Sequence, residues 1–164
     1  MLSLCIINAG QDRSAALDVY GRMWVWGDGE DGVFAFFDIE WPFRITRPYI
    51  VELGIKFVAL STRGRHSAAL DAYGRIWTWG NVEFGALGHD EFGYTQRAVF
   101  SPRVLEIDYD GNALPVFLSV YASGHNSIAA GVCGRIWTWG NGYNYQLGHG
   151  NTYSVNRPKQ IRYR

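Results

Sequence analysis

The side chains that could act on a substrate are few, and most of them recur. The four histidines, His66, His89, His125 and His149, never fall at the i, i+4 spacing that puts two imidazoles on one helix face for zinc. His89 and His149 occupy the same place in two copies of a longer pattern, which points to a turn-stabilising hydrogen bond rather than proton transfer. Ser14, Ser67 and Ser127 are also in register. They lack the Gly-x-Ser-x-Gly elbow of an activated nucleophile, and one nucleophile is not needed three times. They read as strand-start residues that satisfy local backbone groups. Asp28, Glu30 and Asp31 form an acidic loop without the regular oxygen spacing of a calcium site, so they read as solvated. No phosphate-binding glycine loop is present, and the glycines recur at hairpin positions. Cys5 and Cys133 form no Cys-x-x-Cys pair and are expected to be buried free thiols in a reducing compartment. The expectation is no catalytic residue, no cofactor and no metal: the chain is not an enzyme.

What positions these residues is a phrase used three times: Gly21-Arg22-Met23-Trp24-Val25-Trp26-Gly27, Gly74-Arg75-Ile76-Trp77-Thr78-Trp79-Gly80 and Gly134-Arg135-Ile136-Trp137-Thr138-Trp139-Gly140. Upstream of each lies a small, apolar run, such as Ser67-Ala68-Ala69-Leu70. A short turn follows, ending at Gly21, Gly74 or Gly134. Together these read as β-hairpins whose glycine takes positive φ. Trp77 and Trp79 share one strand face and Ile76 and Thr78 the other, and neither face suits open solvent, so a strand sandwiched between stacked sheets is expected. Further strands are expected at Phe57–Leu60 and Phe117–Val120, and others starting at Pro48, Pro102 and Pro158, where a missing backbone donor suits a strand start or an edge. Four strands per unit of about 50 residues is the signature of a propeller blade. The reading is therefore all-β: three four-stranded propeller-like blades (1–55, 56–115, 116–164) forming an incomplete propeller or arc, within one repeat domain, 1–164.

Composition agrees with a packed core, at 48% hydrophobic and 16% aromatic residues. No apolar stretch is long enough to cross a bilayer and no signal-peptide pattern opens the chain, so an intracellular, soluble protein without a membrane partner is expected. The formal charge is zero but unevenly spread. Residues 1–55 hold four basic and eight acidic side chains, whereas residues 116–164 hold five basic and none acidic. Such asymmetry can steer association.

The spaced elements Gly64-Arg65-His66-Ser67, Trp79-Gly80-Asn81, Gly85-Ala86-Leu87-Gly88-His89 and Pro102-Arg103-Val104-Leu105, echoed by Gln146-Leu147-Gly148-His149-Gly150, resemble the regulator-of-chromosome-condensation repeat. The resemblance covers nearly the whole chain. The first copy departs most. Gly32-Val33-Phe34-Ala35-Phe36-Phe37 stands where the family has a Gly-Gln-Leu-Gly turn, and Arg13 and Asn126 replace the histidine found at His66. The aromatic loop of the first copy either packs against something outside its own blade or folds back over it.

The resemblance implies propeller blades, and propellers of this family typically close with seven. Three blades leave two faces uncovered, to be completed by other protein subunits or by further copies of this chain. The expected function is a non-enzymatic protein–protein interaction or structural subunit of a larger assembly, such as a virion or organellar complex. The alternative is guanine-nucleotide exchange or chromatin-associated regulation through the basic third repeat, with nucleic acid the less favoured partner. The expected partner-binding residues are loop aromatics, Phe34, Phe36, Phe37, Trp41, Phe92, Tyr94, Tyr143, Tyr145 and Tyr153, and the basic cluster Arg157, Lys159, Arg162 and Arg164, because exposed aromatics and arginines supply much interface energy.

Overall fold

The computed structural model describes residues 4–10, 12–35, 44–90 and 97–162. They form three four-stranded antiparallel sheets in which sequential strands are neighbours. The first holds β1 (Leu4–Ala9), β2 (Arg13–Asp18), β3 (Met23–Asp28) and β4 (Arg44–Val51). The second holds β5 (Phe57–Ser61), β6 (His66–Asp71), β7 (Ile76–Asn81) and β8 (Ala98–Val104). The third holds β9 (Phe117–Ser123), β10 (Asn126–Gly131), β11 (Ile136–Gly140) and β12 (Val155–Gln160). Among the described residues the only helical pieces are 3-10 turns at Glu30–Gly32 and Glu83–Gly85. The fold is all-β, with three blades in an unclosed row.

The repeated phrase forms the third strand of each sheet. In every copy the pairing with the fourth strand slips at the second tryptophan, between Val25 and Gly27, Thr78 and Gly80, or Thr138 and Gly140. The glycine after that tryptophan takes φ of 99°, 103° and 101°. A Cβ on Gly80 would meet the His66 Cα at 2.9 Å, so the bulge needs glycine for space as well as conformation. The prolines lie within the fourth strands rather than at their starts: Pro48, Pro102 and Pro158 have strand residues before them. These are sheet edges, where a proline leaves no ladder bond unmade.

The sheets stack as the alternation in β7 predicts. Trp79 faces the first sheet and joins Leu17, Val25, Val33, Phe34, Phe57 and Leu60 in one core. Ile76 faces the third and joins Val120, Ala129, Trp139 and Leu147 in another. Phe57 stacks on Trp79 with ring centroids 5.9 Å apart. Alanines on β6 and β10 give the facing tryptophans room.

In the first two sheets the hairpin between the second and third strands is closed by an aspartate. Asp71 Oδ1 accepts from the backbone N–H of Tyr73 (2.9 Å) and Arg75 (3.0 Å), while Oδ2 accepts from Arg75 Nε (2.7 Å) and Trp77 Nε1 (3.0 Å). Asp18 makes the same four bonds with Tyr20, Arg22 and Trp24. Burial pushes the Asp18 carboxyl up, but the donors outweigh it and hold its pKa at about 2. Asp71 is lowered for the same reason. In the third sheet Gly131 stands in this place, and Trp137 Nε1 is buried without a hydrogen-bond partner. Its ring lies where a side chain on residue 131 would be: a Cβ there would meet Trp137 Cζ3 at 2.9 Å.

Candidate interaction surface

Ser67 and Ser127 do not serve their own strands, as the sequence suggests, but bind across sheets. Ser67 Oγ donates to the Val33 carbonyl at 3.0 Å, which also accepts from Trp79 Nε1 at 2.8 Å. Ser127 Oγ donates to the Ala86 carbonyl at 3.0 Å. Val33 and Ala86 each follow a 3-10 turn, so the loop of one sheet is pinned to the second strand of the next. His66 Nε2 lies 2.7 Å from Ser127 Oγ. This Ser–His pair has no reactive character. Both residues are buried, and the hydroxyl proton is committed to the Ala86 carbonyl. Burial, helped by nearby His125, lowers His66 to about 4, keeping the imidazole neutral. His89 and His149 do hold turns: each Nε2 lies 3.0 Å from a threonine hydroxyl, Thr78 or Thr138, which itself donates to the carbonyl of Leu87 or Leu147. Among the described residues no cluster of His, Cys, Asp and Glu could hold a metal ion. Cys133 is exposed in its hairpin turn, not buried as expected, because the turn Gly131–Gly134 points into solvent.

What remains for recognition is the loop end of the sheets. Phe84, held at φ 58° in the 3-10 turn, meets His125 edge-on at 5.0 Å and Tyr143 at 5.6 Å. His125 Nδ1 lies 3.7 Å from Glu83, and Arg65 lies 3.8 Å from Glu83 and 3.7 Å from Asp31. An aromatic strip therefore runs over loops of the second and third sheets, and weak ion pairs flank it and reach Asp31 of the first. Tyr143, Tyr145 and Tyr153 are 61%, 64% and 75% exposed. These are the expected aromatics that face solvent. Phe34 does not: it is 4% exposed and packs between the first and second sheets. Phe36, Phe37, Trp41, Phe92, Tyr94 and Arg164 lie outside the described residues. The basic cluster is engaged at home. Arg157 pairs with Asp90 at 3.0 Å, Lys159 sits 4.4 Å from the centre of the Tyr109 ring, and Arg162 is 4.0 Å from Asp110. Sequence reasoning missed Phe84, Arg65 and His125, although an aromatic at a turn position that holds Asp31 in the first copy and Asn144 in the third is a visible signal. An open groove of about 420 Å³ also lies between the outer strands of the second and third sheets, lined by His89, Asp90, Arg103 and Arg157.

Comparison with known proteins decides the family. A family model described as the regulator of chromosome condensation (RCC1) repeat matches residues 133–163, and RUG3, a mitochondrial RCC1 domain-containing protein of Arabidopsis thaliana, is 32% identical over 77% of the chain. The chain belongs to the RCC1 repeat family. The mouse E3 ubiquitin-protein ligase HERC2 is 27% identical over 94% of the chain. The crystal structure of Prp20p from Saccharomyces cerevisiae, a study that includes its binding to Gsp1p and histones, superposes over 98% of the chain with a TM-score of 0.82 and 25% identity. The chain spans a small part of each: 26% of RUG3, 4% of HERC2 and 38% of the Prp20p chain. Against the RCC1 pattern, Arg13 and Asn126 stand in place of His66. Arg13 Nε and Nη1 are buried without hydrogen-bond partners. Burial lowers the Arg13 pKa, against the opposing pull of Asp28, Asp31, Asp12 and Glu30. Among the described residues no helix is long and apolar enough to cross a membrane.

Proposed function

We propose that this chain is a non-enzymatic interaction module, a structural subunit of a larger intracellular protein assembly, and that it meets its protein partner with the loop end of its blades. The observation that carries this reading is the exposure of Tyr143, Tyr145 and Tyr153 beside the Phe84–His125 pair. Aromatic side chains of low conformational freedom supply most of the binding energy at protein interfaces. The name HERC2 gives its bearer as a ligase, but the chain matches only 4% of that protein.

The test is to isolate the tagged protein with its native partner, and then to compare the variant Tyr143→Ser/Tyr145→Ser/Tyr153→Ser. All three positions are exposed, so the fold is retained. Partner affinity should fall about 10-fold to 100-fold. Unchanged affinity, or a native protein of its own mass alone, refutes the reading. Exchange or chromatin regulation through the third repeat draws on the Gsp1p and histone binding of Prp20p. It is the weaker reading, because Arg157 and Lys159 already have partners within the chain. It requires salt-sensitive retention on DNA that Arg157→Ala and Lys159→Ala reduce.

A further inference from the structure

We infer that the hairpin end of the blades, opposite the tyrosine loops, is a second interaction surface, on which Arg22 and Arg75 take the carboxylates of an extended acidic segment of a partner protein. The inference goes beyond the loop-end reading and uses none of its residues.

Both arginines are held in place by the chain itself. Arg75 donates from Nε to the buried Asp71, and its guanidinium carbon lies 5.3 Å from the centre of the Tyr73 ring and 5.6 Å from that of Trp77. Arg22 repeats the arrangement with Asp18, with Tyr20 at 5.2 Å and Trp24 at 6.0 Å. Both ion pairs run through Nε, and the two side chains are 48% and 53% open to solvent. The Nη edge is therefore left for a second acceptor, and a planar fork of N–H donors matches a carboxylate. The rings and the aspartate already restrict the arginine rotamers, so little further freedom is lost on binding. The third sheet supplies the contrast. Gly131 and Cys133 stand there in place of the aspartate and tyrosine, and Arg135 is exposed without that frame.

Apolar side chains lie around the arginines. The Phe57 N–H donates to the Gly21 carbonyl at 3.0 Å and the Phe117 N–H to that of Gly74 at 2.9 Å, which sets Val58 and Val116 beside the hairpin tips. Val19, Val58 and Val116 are each more than half exposed. Tyr73 is 76% exposed although its sheet has a neighbour on each side, and Tyr20 in the same place is 66% exposed. This exposure belongs to the hairpins and not to the ends of the stack.

Charge says what fits there. Arg22, Lys56, Arg75 and Arg135 are exposed at this end. Asp18 and Asp71 are buried and already accept from the hairpin donors, and Glu52 and Glu106 lie to one side, past the ends of β4 and β8. Cations set among valines and tyrosines suit a peptide that mixes carboxylates with apolar side chains. A nucleic-acid backbone would offer the valines nothing.

The experiment selects binders to the full chain from a displayed random-peptide library and measures their affinity by fluorescence anisotropy, with circular dichroism to confirm that each variant folds. The selected peptides should combine Asp or Glu with apolar residues and weaken with added salt. Arg75→Ala, Arg22→Ala and the charge-conserving Arg75→Lys should each cost about 10-fold or more, because lysine cannot form the fork. Arg135→Ala removes the same single charge and should cost less than about 3-fold, because that side chain lacks the frame. Peptides without carboxylates, no enriched peptide, or equal losses for Arg75→Ala and Arg135→Ala overturn the inference. So does displacement of the peptide by duplex DNA or phosphatidylserine vesicles at lower concentrations than the peptide itself needs. Tyr143→Ser/Tyr145→Ser/Tyr153→Ser should bind the peptides as the wild type does. If that variant loses every selected peptide while Arg75→Ala keeps them, the hairpin surface is refuted and the loop-end reading stands.

Discussion

Replacing Asp71 by asparagine changes almost no volume, yet it should be among the costliest single-atom changes in this protein. The carboxylate is buried, with its side chain 4% exposed, and all four bonds it makes are accepted bonds. Asparagine can keep the two backbone bonds from Tyr73 and Arg75 through its oxygen, but its NH2 then faces Arg75 Nε and Trp77 Nε1, formerly at 2.7 and 3.0 Å. Flipping the amide moves the conflict onto the backbone donors. A hydrogen bond to a charged group is worth about 1.5–3 kcal/mol, and a buried donor left unmatched costs about 1–3 kcal/mol. The Arg75 side chain is 53% exposed and can turn to water, so its share is discounted. The expected loss is about 2–4 kcal/mol, carried mainly by Trp77, or a fall in Tm of about 5–15 °C for a chain of this size. Urea unfolding followed by tryptophan fluorescence measures it, and Arg75→Ala should lose less than about 1 kcal/mol. An Asp71→Asn loss below about 1 kcal/mol, or an Arg75→Ala loss as large as that of Asp71→Asn, refutes the argument that a buried acceptor organises the hairpin.

Stability should fall on acidification from pH 6.5 to 4. Neutral His66, with a folded pKa of about 4, takes up its proton less readily than in the unfolded chain, so the unfolded state gains between those values; the loss is about 3 kcal/mol, and a His66→Asn variant should show a flatter pH profile by chemical denaturation. Below pH 4 a second loss should follow down to about pH 2, as Asp18 with its depressed pKa is protonated; Asp18→Asn should shrink that step and leave the share of Asp71, whose carboxyl is also lowered. Thr78→Val should cost about 1–2 kcal/mol by thermal unfolding, because the Leu87 carbonyl and His89 Nε2 both lose the hydroxyl. Gly131→Ala should cost about 1–3 kcal/mol, because its Cβ collides with the Trp137 ring; a neutral result in the same melt would mean the ring swings aside freely.

The repeated Trp-x-Trp-Gly phrase determines the blades. Alternation along β7 puts Trp79 and Ile76 on opposite faces, and two apolar faces on one strand demand a sheet on each side. The hairpin glycines and the edge placement of the prolines follow from backbone chemistry that any local window reveals. The RCC1 resemblance was legible for the same reason, since its signature is local spacing. Partners across the stack were not legible. The Val33 carbonyl answers Ser67 and Trp79 from 34 and 46 residues away, and no local pattern carries that distance. The Asp71 bonds to Arg75 and Trp77 are near in sequence, but which donors a carboxylate meets depends on how the hairpin folds over it. Exposure was the largest gap. Phe34 and Tyr143 look alike as loop aromatics, and Ile7 and Leu60 look alike as strand aliphatics. Only the stack decides that Phe34 and Leu60 are covered while Tyr143 and Ile7 meet solvent. Whether a side chain is core or contact is a property of its neighbouring sheet, and that neighbour is placed by the tertiary structure.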